Sequence, residues 1–254
     1  MIEVKGIHKS FADNHVLKGI DVIFEKGKAN LIIGRSGSGK TVFLKSTLGL
    51  HTVDQGEIFF DGRSLSSMNK EQRKELRQEI GMVFQGGALF DSQTVEENVM
   101  FPLNMFSKMT TAERKKRVDF CLERVNLVKA NKLFPAEISG GMQKRVAIAR
   151  AIAMNPKYLF CDEPNSGLDP ETSIVIDNLI REITVEFDIT TVINTHDMNS
   201  VLEIGDHVIL LKEGHKVWEG TNEEVLTSDN ADVIDYVFKS NLFKKVRSAF
   251  LSNR

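Results

Sequence analysis

A glycine-rich stretch near the N-terminus, "NLIIGRSGSGKT" from Asn30 to Thr41, constrains the fold of this chain more than any other segment. An apolar run that predicts a buried strand ends at Gly34, and the residues after Lys40 predict a helix. The stretch fits the spacing G-x-x-x-x-G-K-[ST], in which small residues let successive backbone N–H groups turn inward around a phosphate. The N-terminus of the following helix adds a favourable dipole. The stretch therefore predicts a phosphate-binding loop between a strand and a helix.

The residues of this loop have separate expected roles. Lys40 places a positive charge on the outer phosphates of a nucleotide, and the hydroxyl of Thr41 ligates Mg²⁺. The other nucleotide-binding candidates in the loop are Gly34, Arg35, Ser36, Gly37, Ser38 and Gly39.

A second apolar strand, "YLFCDE", delivers two carboxylates at its carboxyl end, which is where α/β sheets bind their ligands. We expect Asp162 to hold Mg²⁺ through water. Glu163 is expected to orient and deprotonate the attacking water. The loop and this acidic pair predict either an NTPase or a nucleotide-dependent kinase, and the two motifs do not distinguish between them.

The order of strands and helices predicts an α/β fold. Short strands occupy about the first 65 residues, the segment from Gly86 to Pro156 is helical, and strands then return. Such alternation implies a mostly parallel sheet covered on both faces. We expect a P-loop NTPase fold of the RecA-like type, with an N-terminal antiparallel β subdomain and a helical subdomain inserted at about 86–156. Residues 1–228 are predicted to form this domain, and 229–254 a C-terminal amphipathic helical extension.

Composition excludes several classes of function. The 254 residues carry a net charge of -2, which argues against a protein that wraps nucleic acid. No run approaches the ~20 apolar residues of a membrane helix, and the N-terminus does not resemble a signal peptide. We expect a soluble cytoplasmic chain that another chain holds wherever it works at a membrane. Cys121 and Cys161 are predicted to be buried, reduced thiols.

The helix predicted in "ISGGMQKRVAIARAIAMNP" begins unusually. Ser139 is a good N-cap, but Gly140 and Gly141 follow it, each about 1 kcal/mol worse than alanine inside a helix. This pattern suggests that something comes close to the backbone, and such a helix start is also an anion site. We expect it to face the γ-phosphate bound by another copy of the chain, so that two copies share two nucleotides across a two-fold axis. The alternative is a flexible helix start.

In this order, the motifs resemble those of the ATPase subunit of an ATP-binding cassette (ABC) transporter, over nearly the full length of the chain. The resemblance implies that residues 1–228 form an ABC ATPase domain. "GRSGSGKT" is similar to the Walker A motif, "YLFCDE" to Walker B and "ISGGM" to the family signature, although its usual fifth residue, glutamine, is Met142 here. Gln85 in "IGMVFQ" matches the loop that touches Mg²⁺ and links the core to the helical subdomain. His196 in "INTHD" matches the switch histidine at the γ-phosphate.

The resemblance implies further site residues and the cofactors ATP and Mg²⁺. Phe11 falls where the family stacks an aromatic ring on adenine, with Val16 alongside. Asp169 lies in the D-loop "NSGLDP" and is also a good N-cap before a proline. The implied metal ligands are Thr41, Gln85 and Asp162, and the implied catalytic residues are Glu163, His196 and Gln85.

Two segments, "GGALFDSQTVEENVMFPL" and "SGGMQKRVAIARAIAMNP", resemble the ATPases of bacterial Mla-type lipid transport systems. The resemblance implies phospholipid transport at the cytoplasmic face of the inner membrane. The implied partners are a second copy, integral-membrane permease subunits, an Mce-type lipid-binding protein and, in some systems, a small regulatory subunit, with no nucleic acid. Ala88, Leu89 and Phe90 lie where family members form a groove for the coupling helix of the permease, or they belong to the subdomain core.

Other hypotheses remain open at this point. Within transport, the alternative is an importer of a small polar solute such as an amino acid. A soluble ABC protein acting on nucleic acid or ribosomes and a P-loop kinase belong to other classes. The tail "DVIDYVFKSNLFKKVRSAFLSNR" is amphipathic, and we expect it to clasp a partner subunit, to lie on an anionic membrane surface or to pack on its own domain.

Overall fold

The computed structural model describes residues 1–252 of the chain. In chain order, the strands are β1 (Ile2–Phe11), β2 (Asn14–Phe24), β3 (Ala29–Ile33), β4 (Gln55–Phe60), β5 (Arg63–Ser64), β6 (Ile80–Val83), β7 (Tyr158–Asp162), β8 (Thr190–Asn194), β9 (His207–Lys212) and β10 (His215–Gly220). The helices are α1 (Lys40–Thr47), α2 (Lys70–Gln78), α3 (Val95–Phe106), α4 (Thr111–Arg124), α5 (Gly140–Ile152), α6 (Pro170–Glu186), α7 (Met198–Ile204), α8 (Asn222–Thr227), α9 (Ala231–Val237) and α10 (Asn241–Ser252).

The chain divides into two compact units. The first unit contains residues 1–68 and the segment that begins at Val192, and the second contains residues 69–191. The helices α3, α4 and α5 lie inside the range predicted for the helical insert, but these units have different bounds, and the predicted domain limits stay a prediction.

An antiparallel sheet of four strands, in the order β2-β1-β4-β5, opens the first unit. Ile2 pairs with Phe24 on one side and with Phe60 on the other, and all three side chains are fully buried. Since a strand directs alternate residues to one face, this register places the apolar residues of three strands on the same side. The expected N-terminal antiparallel subdomain is confirmed.

The second sheet of the first unit has the order β10-β9-β3-β8. β3 and β9 run parallel, with Ile33 opposite Leu210, and their side chains are buried. β10 returns antiparallel to β9 through Glu213 and Gly214, which both have positive φ, as a tight hairpin turn requires. Residues 207–220, which lie where the sequence predicts that strands return, therefore form a β-hairpin.

The second unit combines two parallel strands with five helices among the described residues, α2 to α6. Val83 of β6 pairs with Cys161 of β7, and both are buried. The buried residues of α5 include Val146, Ala147, Ile148 and Ala149, so this helix has apolar contacts around most of its circumference. The two cysteines are free and buried, as predicted.

The C-terminal helix packs on its own unit. Arg247 of α10 donates hydrogen bonds to the carbonyl oxygens of Leu226 and Ser228, and its guanidinium lies 5.0 Å from the centre of the Phe238 ring. This is one of the three arrangements expected from the sequence. Within residues 1–252, no helix combines the length and the apolar character needed to cross a membrane.

Asn98 of α3 fastens the loop that follows β6. Its side chain is fully buried, and its Oδ1 accepts a hydrogen bond from the N–H of Phe90 at 2.8 Å. Its Nδ2 donates to the carbonyl oxygens of Phe90, Gln93 and Thr94 at 3.0–3.1 Å. One side chain thus satisfies four backbone groups of a segment without regular structure.

Replacing this amide is expected to destabilise the fold. Asn98→Ala should lower the free energy of unfolding by about 2–3 kcal/mol, because buried backbone groups lose their partners. Asn104→Ala is the matched control, since Asn104 is exposed on the same helix and accepts a hydrogen bond from Arg114 at the surface. Urea denaturation should show a change below about 1 kcal/mol for the control, and equal losses for the two variants would contradict this role of Asn98.

Candidate active site

The loop from Gly34 to Gly39 joins β3 to α1 in the first unit. Gly34 has φ +150°, and a Cβ at this position would lie 2.3 Å from the carbonyl oxygen of Leu211 and 2.6 Å from Oγ of Ser38. Gly39 is the N-cap of α1 in the left-handed conformation. The loop can therefore take this path only with glycine at its first position.

Lys40 is buried beneath the loop. Its Nζ donates hydrogen bonds to the carbonyl oxygens of Gly34 at 2.8 Å and Arg35 at 3.2 Å. The hydroxyl of Ser38 is buried and has no hydrogen-bond partner among the described residues. A buried ammonium and an unsatisfied hydroxyl, in a loop with exposed Arg35 and Ser36, fit a site that receives an anionic group.

The other candidates of the first unit are Thr41, His196, Phe11 and Val16. Thr41 is exposed, and its hydroxyl accepts a hydrogen bond from the amide of Asn194 at the end of β8, at 3.4 Å. His196 is exposed two residues further along the chain. Asn194 was missed by sequence reasoning, although its place just before "THD" was a usable signal.

Phe11 ends β1 and is 43% exposed. The His51 ring meets it edge to face at 5.3 Å between centres, and the Lys9 ammonium lies 5.2 Å from the Phe11 centre. Val16 is half-buried, and its carbonyl oxygen would lie 3.2 Å from a Cβ at Gly39, so it packs against the loop. The first unit thus presents an open aromatic ring and brings Val16 to the glycine-rich loop.

Three segments meet around Gln85 and Glu163 in the second unit. The amide of Gln85 donates to the hydroxyl of Ser166 at 3.1 Å, and Lys144 of α5 donates to the carbonyl oxygen of Gln85. Burial lowers the pKa of Lys144, and the nearby carboxylate of Glu163 acts in the opposite direction. Lys144 therefore connects the loop after β6 to the helix that Ser139 begins.

Asp162 ends β7 and Glu163 follows it directly, and both are half-buried. Glu163 has φ +47°, a left-handed conformation that is uncommon for a residue other than glycine, asparagine or aspartate. Strained backbone of this kind concentrates at functional sites, where the surrounding structure maintains it. The backbone conformation of Glu163 is therefore consistent with a functional role for the end of this strand.

Ser139 caps α5, and its Oγ accepts a hydrogen bond from the N–H of Met142 at 3.3 Å. Ser139 and Gly140 are exposed, whereas Gly141 is buried, and a Cβ there would lie 2.6 Å from Cγ2 of Thr172. At Gly141 the close neighbour is Thr172 of α6, and the approach of a γ-phosphate to this helix start stays a prediction.

Asp169 caps α6 as predicted. Its carboxylate accepts hydrogen bonds from the hydroxyl of Thr172 at 2.6 Å and the N–H of Thr172 at 2.9 Å. These bonds, with the hydroxyl contributing most, lower the pKa of Asp169 below its ordinary value.

The metal-binding candidates offer a suitable set of donors. Thr41 in the first unit provides a hydroxyl, and Gln85 and Asp162 in the second provide an amide oxygen and a carboxylate. Oxygen donors of these kinds are the ligands of Mg²⁺ in proteins. The residues present are therefore chemically compatible with this cation.

The two glycines of α5 should respond differently to a methyl group. Gly141→Ala should lower the free energy of unfolding by about 1–3 kcal/mol through overpacking against Thr172. Gly140→Ala is the matched control, because the nearest atom to its Cβ, in Leu168, is 3.8 Å away. Its stability should stay level or rise by up to about 1 kcal/mol, in line with helix propensity.

Combining Gly141→Ala with Thr172→Ser removes the obstructing Cγ2 and keeps the hydroxyl that bonds Asp169. We expect urea denaturation of the double variant to recover most of the lost stability. No recovery would show that contact with Thr172 is not the reason for glycine at position 141.

The comparisons with known proteins agree on one family. The family model described as "ABC transporter" matches residues 17–166. A probable ribonucleotide transport ATP-binding protein of Mycobacterium leprae is 38% identical over 236 residues, which cover 93% of this chain and 68% of the relative. The chain thus spans about two thirds of the length of that relative.

Two other relatives have different printed functions. The intermembrane phospholipid transport system ATP-binding protein MlaF of Haemophilus influenzae is 35% identical, over 93% of this chain and 90% of its own length. The methionine import ATP-binding protein MetN of Clostridioides difficile is 37% identical, over 89% of this chain and 70% of its own length.

The fold comparison points the same way. A dimeric structure of a post-hydrolysis state of the ATP-binding cassette MJ0796, bound to ADP and Pi, has a TM-score of 0.78 and 33% identity. It covers 87% of this chain and 99% of that cassette. This chain therefore belongs to the ABC transporter family, as an ATP-binding and ATP-hydrolysing subunit with the α/β cassette fold expected from its motifs.

Proposed function

We propose that this chain powers phospholipid transport of the Mla type, through a partner permease at the cytoplasmic face of the inner membrane. The observation that carries the proposal is the match to MlaF of Haemophilus influenzae, in which 90% of that protein has a counterpart here. The second candidate is import of a small polar solute such as an amino acid, which the 37% identity to MetN favours.

The first unit supplies the nucleotide cradle in this proposal. The inward N–H groups of residues 34–39 hold the phosphates, Lys40 transfers its ammonium from the loop carbonyls to the outer phosphates, and His196 contacts the γ-phosphate. Phe11 stacks on adenine, with Val16 alongside, as the exposure of its ring allows. Thr41, Gln85 and Asp162 would hold Mg²⁺, which when bound neutralises charge that develops on the phosphates.

The hydrolytic step depends on the strand end of the second unit. Glu163 orients the attacking water and accepts its proton, and the left-handed backbone at this residue directs the carboxylate. Lys144 holds the carbonyl of Gln85, so the loop after β6 stays in place beside Glu163.

A second copy completes each nucleotide site. Ser139, Gly140 and Gly141 offer N–H groups and a hydroxyl at a helix N-terminus, where Ser139 and Gly140 are exposed. We infer that they face the γ-phosphate bound by the partner copy and that Asp169 contributes at the same interface. The dimeric form of the MJ0796 cassette supports this arrangement.

The permease is proposed to dock in an apolar groove of the second unit. The groove has a volume of about 380 Å³, and its lining includes Phe84, Ala88, Phe90, Phe101 and Phe106. Phe84, Phe90 and Phe106 are each about 40% exposed, so apolar surface is available to a helix of another chain. Leu89 is half-buried and is not among the lining residues.

The cargo is tested by isolating the intact complex from membranes and identifying its bound chains and lipids by mass spectrometry. A phospholipid together with an Mce-type partner is the expected result, and a small regulatory subunit would appear in the same experiment. A periplasmic amino-acid receptor in place of the Mce-type protein would overturn the proposal in favour of the second candidate.

Replacing the proposed base should separate ATP binding from hydrolysis. Glu163→Gln should slow ATP hydrolysis by about 10²–10⁴-fold, the usual weight of a positioned general base, while ATP affinity is kept. The stalled protein should elute from a sizing column as a dimer only when ATP is present. Glu182→Gln is the control, since Glu182 is exposed on α6 and forms a surface ion pair with Arg124.

The control should hydrolyse ATP at the wild-type rate. A Glu163→Gln protein that binds ATP but stays monomeric, with the permease present, would contradict the shared nucleotide site. Lys40→Ala should instead lose ATP affinity, which equilibrium binding measures directly.

A further inference from the structure

A helix near the C-terminus contacts the glycine-rich loop within the first unit. The hydroxyl of Tyr236, on α9, donates a hydrogen bond to the carbonyl oxygen of Gly34 at 3.1 Å. Its neighbour Asp235 pairs with the guanidinium of Arg35 at 2.6 Å. The two contacts join consecutive residues of α9 to consecutive residues of the loop, about 200 positions earlier in the chain.

The Gly34 carbonyl therefore has two donors of different origin. Nζ of Lys40, at the end of the loop, donates to it at 2.8 Å, and the hydroxyl of Tyr236 on α9 donates to it at 3.1 Å. Gly34 is itself buried, and a buried carbonyl that loses its partners is destabilising. The number of donors to this carbonyl oxygen therefore affects how easily Lys40 can leave it for a phosphate.

The position of Tyr236 is well determined by its helix. The side chain of Asn230 caps α9 by accepting from the N–H groups of Asp232 and Val233. Val233, Val237 and Phe238 are almost completely buried, which fixes the rotation of the helix. Exposed ion pairs contribute little to stability, so the pair of Asp235 with Arg35 is the weaker of the two contacts with the loop.

We propose that Tyr236 is a positioning residue for ATP binding, which keeps the Gly34 carbonyl hydrogen-bonded when Lys40 leaves it for the phosphates. The proposal depends on the proposed role of residues 34–41 as the ATP site. Without the hydroxyl, Lys40 either remains on Gly34 or leaves a buried carbonyl unsatisfied, and both outcomes weaken ATP binding. Through this contact, the C-terminal segment affects the affinity of the loop for nucleotide.

The test compares the full-length wild-type protein with Tyr236→Phe, which keeps the ring and removes only the hydroxyl. In calorimetric titration with ATP and Mg²⁺, the Kd of Tyr236→Phe for ATP should be about 3- to 10-fold higher than that of the wild type. This factor corresponds to the loss of one neutral hydrogen bond. KM for ATP should rise by the same factor, while kcat at saturating ATP stays unchanged. The melting temperature without nucleotide should change by less than about 2 °C.

Asp232→Asn is the matched control, because Asp232 lies on the same helix as Tyr236 and the change removes only its ion pair with Lys212 of β9. Its Kd for ATP should equal that of the wild type. An unchanged Kd in Tyr236→Phe overturns the proposal, whether or not the melting temperature falls. An equal loss of affinity in Asp232→Asn also overturns it, since the hydroxyl would then have no specific role.

A separate outcome concerns the ATP site itself. If the wild-type protein does not bind ATP, or if Lys40→Ala binds it as tightly as the wild type, then the proposed role of residues 34–41 fails. Retained wild-type binding with a clear loss in Lys40→Ala leaves Tyr236→Phe as the deciding measurement.

Discussion

The candidate site depends on the hydrogen bonds that the buried ammonium of Lys40 makes with the loop. A cation removed from water is stable only with compensating partners, and here the carbonyl oxygens of Gly34 and Arg35 provide them. These carbonyls turn inward because the loop passes close to Leu211, where no side chain fits at position 34. The parallel pairing of β3 with β9 brings that carbonyl of Leu211 beside the loop. The pairing of β3 with β9 thus determines the path of the loop, and the path of the loop determines where the Lys40 ammonium is held.

The loop after β6 has a comparable place in the second unit. Arg150 donates to the carbonyl oxygens of Gly87 and Ala88, and Lys144 donates to that of Gln85, so α5 holds this loop at three points. Asn98 holds its far end at Phe90. In the proposed function, this one short segment carries both a groove residue for the permease and the residue beside Glu163. The backbone between the proposed groove and the proposed hydrolytic side is thus short and held by hydrogen bonds from α5 and Asn98.

The sequence predicted those features that depend on residues close together in the chain. Gly34–Thr41 could be predicted because spacing and flanking elements are contiguous, and Asp169 because capping uses a residue three positions away. Helix α3 lies inside the predicted helical insert, and the capping box of Thr94 and Glu97 marks its start, although Pro102 interrupts its pattern. The contacts of Gly141 with Thr172, and of Tyr236 with a residue 202 positions away, depend on tertiary packing that no local pattern encodes.

The buried thiols have a practical consequence for spectroscopy. Burial raises the pKa of Cys121 to about 11, and burial with the charges of Asp177 and Asp162 raises that of Cys161 further. Only a thiolate reacts readily with maleimides, and these are the two cysteines of the chain. A cysteine introduced at the exposed Leu242 of α10 would then carry a fluorophore alone. Movements of the tail could be followed by the fluorescence anisotropy of this single label without first removing the native cysteines.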